Sequence, residues 1–389
     1  MNKIKHVLCI IFLFFLNSGI AFSEEYSTAV VLHKTPAEKL HSVKIAYPLY
    51  NGSTLSFPGK IVFDSKGNAW WPDTVSGVVV ELLYGYRGQY RVYPILNEFR
   101  ESQLSPGGTY SDMGNPGLRN IAVDHDDNVW IPDEYSGNVI ELIRSSSYSE
   151  RIFNAQNTEG LPSNPREIAV DSTDNVFISG GNDNTIVELK KEGDGEIVIL
   201  GLSGRQNNTP VDLTMDSQDN LWIIDRNNRG IETGGVTELT KSSEYATQTS
   251  WNNSSCPPCK FNRPTGIVAT ETGSIFIANN EGTLTELELL PDGTYRANNL
   301  QTEDMKKGTT NNPYKLFLDS RENVWVSHYS LSGGSSFGHK MLKILAISNY
   351  KTYNTPLSFL EGKYIGIDRH GNVLVPQKKY LVEFIGAGR

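Results

Sequence analysis

Two histidines and a scattered set of carboxylates are the residues of this chain best suited to chemistry. The run Ser327-His-Tyr-Ser-Leu-Ser-Gly-Gly-Ser-Ser-Phe-Gly-His-Lys340 carries His328, Tyr329 and His339 among serines and glycines. An imidazole titrates near neutral pH, so His328 suits a general base or a metal ligand. Two histidines in such a run also read simply as solvated loop residues. Asp73, Asp133 and Asp225, with Asn279 and Gln377, stand at one offset in successive stretches of chain. Asp133 and Asp225 are the carboxylates that would hold a hard cation, Mg2+ or Ca2+. Arg119, Arg166 and Lys315 recur within one residue of a second offset, together with Lys60, Val211, Thr265 and Lys363. Cations and carboxylates gathered at one place could bind an anion or a metal. They could equally neutralise one another around a wet channel.

Cys256 and Cys259, in Ser255-Cys-Pro-Pro-Cys-Lys260, are the other reactive pair. In an oxidising compartment two neighbouring thiols usually pair. A redox role needs a depressed thiol pKa, typically at a helix N-terminus, and no helical pattern follows them. A zinc site needs two further ligands.

What positions these groups is a repeat. Seven times the chain returns to one phrase, as in Ile61-Val-Phe-Asp-Ser-Lys-Gly-Asn-Ala-Trp70 and Ile168-Ala-Val-Asp-Ser-Thr-Asp-Asn-Val-Phe177. The anchors are Asp64, Asp124, Asp171, Asp216, Thr270, Asp319 and Asp368. They recur about every 50 residues, the period of β-propeller blades. Six residues after each anchor stands Trp70, Trp130, Phe177, Trp222, Phe276, Trp325 or Leu374. A second strand signal follows each, for example Val80-Glu-Leu82 and Thr237-Glu-Leu239. Short Val-, Ile- and aromatic-rich runs divided by Gly, Asn, Asp and Pro are strands joined by turns.

The spacing therefore predicts an all-β fold, a seven-bladed β-propeller of four-stranded blades. One blade leaves apolar side chains on both faces, so the set must close into a ring. The segment Val43-Lys-Ile-Ala-Tyr-Pro-Leu-Tyr50 resembles the outer strand Tyr90-Arg-Val-Tyr-Pro-Ile-Leu96, and the last repeat stops after its third strand. The N-terminal strand is thus expected to complete the last blade and close the ring. Within each repeat, Asp-x-x-x-Asn reads as a tight hairpin: Asp accepts backbone N–H groups and Asn takes a left-handed conformation. The repeated aromatic reads as packing between blades. The mid-strand glutamates (Glu81, Glu141, Glu188, Glu238, Glu286, Glu383) need partners, read here as inter-blade hydrogen bonds or ion pairs. In such a ring the two offsets named above meet at the mouth of the central channel, the default place for a ligand. The links 97–115 and 302–312 rise on the same side.

The phrase Pro-x-x-Ile-Ala-Val-Asp-x-x-Asp-Asn-Val-Phe-Ile at Pro165 to Ile178 resembles the NHL repeat and the repeat of the virginiamycin B lyases (streptogramin lyases). The likeness spans roughly residues 44–389 and implies the seven-bladed fold. A lyase of that family eliminates across a cyclic depsipeptide with magnesium and a histidine base near the mouth. Its repeats read Trp-Phe-Thr-Glu after the second strand. Here the segments read Trp70-Trp-Pro-Asp73, Trp222-Ile-Ile-Asp225 and Trp325-Val-Ser-His328, and only His328 falls near the expected histidine.

Lys3, Lys5, the apolar run Val7 to Leu16 and Ala21-Phe-Ser23 read as a signal peptide over residues 1–23, leaving 24–389 as one propeller. Export to a periplasm or the extracellular medium is expected. The formal net charge of −9 becomes more negative by two once Lys3 and Lys5 are removed. That charge disfavours nucleic acid and anionic membrane surfaces, and the apolar run is too short to span a bilayer. The sequence thus points to an exported monomer that binds a protein, peptide or glycan at the channel mouth. The alternative is a metal-assisted lyase or hydrolase using His328 with Asp133 or Asp225.

Overall fold

The computed structural model describes residues 30–386 apart from 37–40, 47–48, 51–52, 55–57, 75, 86–88, 96–116, 182–184, 192–195, 203–207, 228–233, 257–258, 281, 303–312, 329–338, 360–363 and 377–379. The expected signal peptide and the long links at 97–115 and 302–312 fall wholly or largely outside the described residues, as does most of the Ser/Gly run.

Seven antiparallel blades form a ring, as the repeat predicts. They run from Val62 to Pro94, Ala122 to Phe153, Pro165 to Gly201, Asn208 to Asn252, Pro264 to Gln301, Pro313 to Phe359 and Gly366 to Ile385. Each anchor closes the hairpin between first and second strands. In the first blade, Asp64 Oδ1 accepts the backbone N–H of Lys66 at 3.0 Å and of Asn68 at 2.8 Å. Its Oδ2 accepts Asn68 Nδ2 at 2.8 Å and the indole Nε1–H of Trp70 at 3.1 Å. That last bond explains the six-residue spacing, and Trp130, Trp222 and Trp325 repeat it at 2.8–2.9 Å. Where the aromatic is Phe276 there is no donor, and the anchor is Thr270.

The left-handed residue of the hairpin is not the expected Asn but the residue before it. Gly67, Gly273 and Gly371 take φ of 86°, 88° and 72°; Asp127, Asp174, Asp219 and Glu322 take 61°, 65°, 60° and 63°. A side chain at such a φ costs about 1 kcal/mol. Here the cost is offset by bonds between blades. Asp127 accepts Ser65 N and Oγ, both at 2.7 Å; Asp174 accepts His125 N at 2.7 Å; Glu322 accepts Glu271 N at 2.7 Å. Arg369 Nη1 to the Ser65 carbonyl, 3.2 Å, ties the last blade to the first. The Asn side chain has a different task. Its Oδ1 accepts a backbone N–H just past the third strand, as Asn68 does from Tyr84 at 2.9 Å and Asn128 from Arg144 at 3.0 Å.

The repeated aromatics pack between blades as expected. Trp70 lies fully buried with Ile121, Val129 and Leu142 of the next blade. Tyr148, Tyr245, Tyr295 and Tyr350 each lay a ring against the aromatic of the preceding blade, at 4.9, 4.8, 5.4 and 4.7 Å between centroids. Two of the mid-strand glutamates, Glu81 and Glu286, take their hydrogen bonds within their own blade, whereas Glu238 Oε2 is buried without a partner and Glu141 and Glu188 feel the charges of Lys191 and Lys241 on the following blades. Glu81 accepts from Asn68, Arg91 and Tyr93 at 3.0, 3.2 and 2.9 Å, and Glu286 from Asn298 at 3.0 Å. Arg91 and Asn298 sit directly opposite them on the outer strand, within side-chain reach.

The ring closes through the N-terminal strand His41–Ala46, antiparallel to Tyr380–Ile385 with Val43 opposite Glu383. A strap precedes it that the repeat pattern does not contain. Val30–Val31 adds a parallel fifth strand to the fifth blade and His33–Lys34 does the same for the sixth. Between them Leu32 is buried with Phe276, Leu300 and Tyr353, sealing the joint of those blades. Cys256 and Cys259 form a disulfide with Cα atoms 5.3 Å apart, packed with Trp251 and Phe261 between the fourth and fifth blades. Among the described residues no helix is long and apolar enough to cross a membrane.

Candidate functional site

Four residues before each anchor the first strand presents one side chain at the channel. Read around the ring, these are Lys60, Asn120, Glu167, Asp212, Gly266, Lys315 and Tyr364. The flanking Ile or Leu and the anchor nearly repeat, whereas this position differs in almost every blade. Lys60 and Lys315 stand in this ring. Arg119 and Arg166 come one residue earlier, nearer the mouth. The same offset from the anchor would have picked out Asn120, Glu167, Asp212 and Tyr364.

The ring members interact across blades. Asn120 donates its amide N–H to Glu167. Lys315 Nζ lies 3.0 Å from Asp212 Oδ2 and donates to the Val211 carbonyl at 3.2 Å, two blades away. Gly266, in the blade between, permits that reach. A Cβ there would meet the Tyr314 carbonyl oxygen at 2.7 Å and Lys315 Cα at 2.8 Å. Asp212 Oδ2 also accepts the Ile267 N–H at 3.3 Å, so the carboxylate is held from both sides.

Burial and charge set the protonation here. Burial opposes the Lys315 charge, yet Asp212 and Glu167 hold this ammonium above the ordinary lysine range. Burial pushes Glu167 up, against the pull of Lys315. The hydrogen bond Glu167 takes from Asn120 is from a neutral donor. Burial pulls Lys60 down despite Asp212 and Glu167. Burial likewise raises the Tyr364 hydroxyl.

At the mouth, Asp73 and Asp133 end their second strands and are fully buried. Each folds back on its own turn: Ser76 N and Oγ donate to Asp73 at 2.9 and 2.6 Å, and Ser136 Oγ to Asp133 at 2.8 Å. Asn279, also buried, accepts Asn262 N at 3.3 Å and donates to Thr285 Oγ1 at 3.2 Å. These residues shape the hairpins between second and third strands. Asp225 is fully buried in the equivalent place. The backbone of His328 ends the sixth blade's second strand opposite Pro313; Tyr329 and Gln377 lie outside the described residues. Among the described residues no three His, Cys, Asp or Glu side chains gather where they could hold a metal ion.

One notch at the mouth is chemically unfinished. Gly181, on the third blade, faces Glu134 of the second and Arg166 of its own. A Cβ at Gly181 would lie 2.9 Å from Glu134 Oε1 and 3.5 Å from Arg166 Cδ. Glu134 Oε2 and Arg166 Nε are both buried without a hydrogen-bond partner, although Arg166 Nε lies 3.8 Å from Glu167 Oε1. Such groups are few in folded proteins, because an unmet buried donor or acceptor costs about 1–3 kcal/mol. Glu134 follows Asp133 directly, but nothing in its spacing marks it in the sequence. Tyr135, next along, is 40% exposed at the rim.

No family model and no curated protein matches the chain. Solved structures do. A streptogramin B lyase matches at 12% identity with TM-score 0.62, covering 89% of this chain and 97% of that one. A catalytically inactive virginiamycin B lyase from Staphylococcus aureus with quinupristin matches at 13% and 0.63, covering 89% and 99%. The RRP9 WD40 repeats match at 11% and 0.60, covering 90% and 99%. At these identities the likeness is one of fold: the chain is a seven-bladed β-propeller of the same architecture as the streptogramin lyases and the WD40 proteins.

Proposed function

We propose that this protein is an exported binding module that takes a peptide segment of a partner at the channel mouth, in the notch between the second and third blades. The observation that carries this reading is the pair of unmet buried groups there, Glu134 Oε2 and Arg166 Nε. One is an acceptor and the other a donor. Both atoms are closed to solvent here, so a peptide N–H and carbonyl would satisfy them as the two side chains turn outward to meet it. Exposed Tyr135 at the rim supplies an aromatic anchor of the kind that dominates interfaces. The disulfide accords with an oxidising compartment. Capture from envelope and culture fractions tests the reading, with wild type set beside Arg166→Ala and Tyr135→Ala. The partner retained by wild type is expected to be lost with either variant, and equal retention by all three contradicts the notch.

A metal-assisted lyase is the second reading. It rests on the place of His328, at the mouth end of a second strand in register with Asp133 and Asp225. Calorimetric titration with Mg2+ and Ca2+, repeated with His328→Ala, separates the two. Uptake of either ion that depends on His328 favours the enzyme.

A further inference from the structure

Among the described residues, the joint between the last blade and the first holds a hollow beside the position of the repeated aromatic. Leu374 occupies the place held elsewhere by Trp or Phe. Tyr84, from the following blade, does not cover it as Tyr148, Tyr245 and Tyr350 cover their counterparts. It stacks on His370 at the surface instead, centroids 5.3 Å apart, and is 42% exposed. A cavity of about 210 Å³ remains, walled on its apolar side by Ile45, Phe63, Leu82, Tyr84 and Leu374 and on its polar side by Asp368, Asn372 and Glu383. It opens on the face opposite the channel mouth. An enclosed cavity of about 150 Å³ takes up a benzene ring, so the volume here is sufficient for a planar ring.

The carboxylate at its edge gives this hollow a chemical preference. In each blade with a repeat tryptophan, the anchor Oδ2 accepts both an Asn amide and the indole N–H. Where the aromatic is Phe177, Lys241 Nζ takes the second place on Asp171 Oδ2 at 2.8 Å. Asp368 Oδ2 accepts Asn372 Nδ2 at 2.7 Å, Leu374 supplies no indole, and among the described residues no lysine of the following blade bonds to it as Lys241 does to Asp171. Asp368 lines the hollow together with Leu374, on the side where the other blades place their indole.

We propose that this hollow is a binding site for a small planar aromatic molecule bearing a ring N–H. Indole is its simplest form: the ring stands in for the missing tryptophan and the N–H bonds to Asp368. The test uses the mature protein, titrated with indole and with 1-methylindole by calorimetry and thermal shift. Saturable 1:1 binding of indole is expected, with 1-methylindole weaker by about tenfold because it lacks the donor. Leu374→Trp should fill the hollow, abolish indole binding and raise the melting temperature of the free protein. Absence of saturable indole binding, equal affinity for the two probes, or undiminished binding by Leu374→Trp overturns the proposal. Should that variant fail to fold, Leu374→Phe and the wild-type comparison of probes still decide it.

Discussion

At the residue scale, the repeat is a set of matched pairs. An indole donor needs a carboxylate six residues earlier, and a phenylalanine does not. Trp222→Phe should therefore cost about 1–2 kcal/mol in urea unfolding, because Asp216 Oδ2 loses its 2.9 Å donor. The double variant Asp216→Thr with Trp222→Phe, which copies the fifth blade, should recover part of that loss. The mid-strand glutamates make a second prediction. Burial pushes Glu238 and Glu286 up to about 7. Their folded pKa thus lies above the unfolded one, so the folded chain keeps protons that the unfolded chain has released. Stability from these groups is full below about pH 4.5 and is lost as pH rises through about 7, by roughly 3 kcal/mol for each group. Glu238→Gln should flatten the pH dependence of unfolding over that window; an unchanged profile counts against it. Anchor, aromatic and glutamate were all legible from spacing. The left-handed residue was not: either Asn or the residue before it can close the turn, and only the inter-blade bonds to Asp127, Asp174 and Glu322 settle which.

At the element scale, the strap is what the sequence hid. Its strands are two residues each, too short for an alternating pattern, and their parallel pairing has no counterpart in the repeat. The closing strand was legible because His41–Ala46 shares its pattern with an outer strand of another blade. The strap covers two outer edges that would otherwise present unpaired backbone groups. Leu32→Ala should cost about 2–4 kcal/mol, as for other buried leucines. Hydrogen exchange should quicken first in Tyr295–Gln301 and Thr352–Phe359, the strands the strap covers. Uniform loss of protection around the ring would show instead that the strap has no local role.

At the scale of the whole molecule, the fold places six residue types at seven like positions, only lysine recurring, so the channel is where this ring departs from its own symmetry. Lys315 bridges to Asp212 over a glycine and is buried. Lys315→Met should therefore destabilise the protein by about 3 kcal/mol, since it leaves buried carboxylates without their cation. The ring position was only half visible in the sequence. Two of its lysines stood out as charges, while Asn120, Glu167, Asp212 and Tyr364 needed a strict register count. The notch between Glu134 and Arg166 could not be read at all, because it joins residues of two blades through the absence of a side chain at Gly181. That notch is the centre of the functional account. The most direct measurement is site-specific photo-cross-linking of the intact protein in its source cells and their culture medium, with the cross-linker at Tyr135 on the mouth and, in parallel, at Lys66 on the opposite face. The account predicts a discrete adduct from position 135, lost with Arg166→Ala, and none from position 66; an adduct from 66 alone, or one from 135 that survives Arg166→Ala, contradicts it.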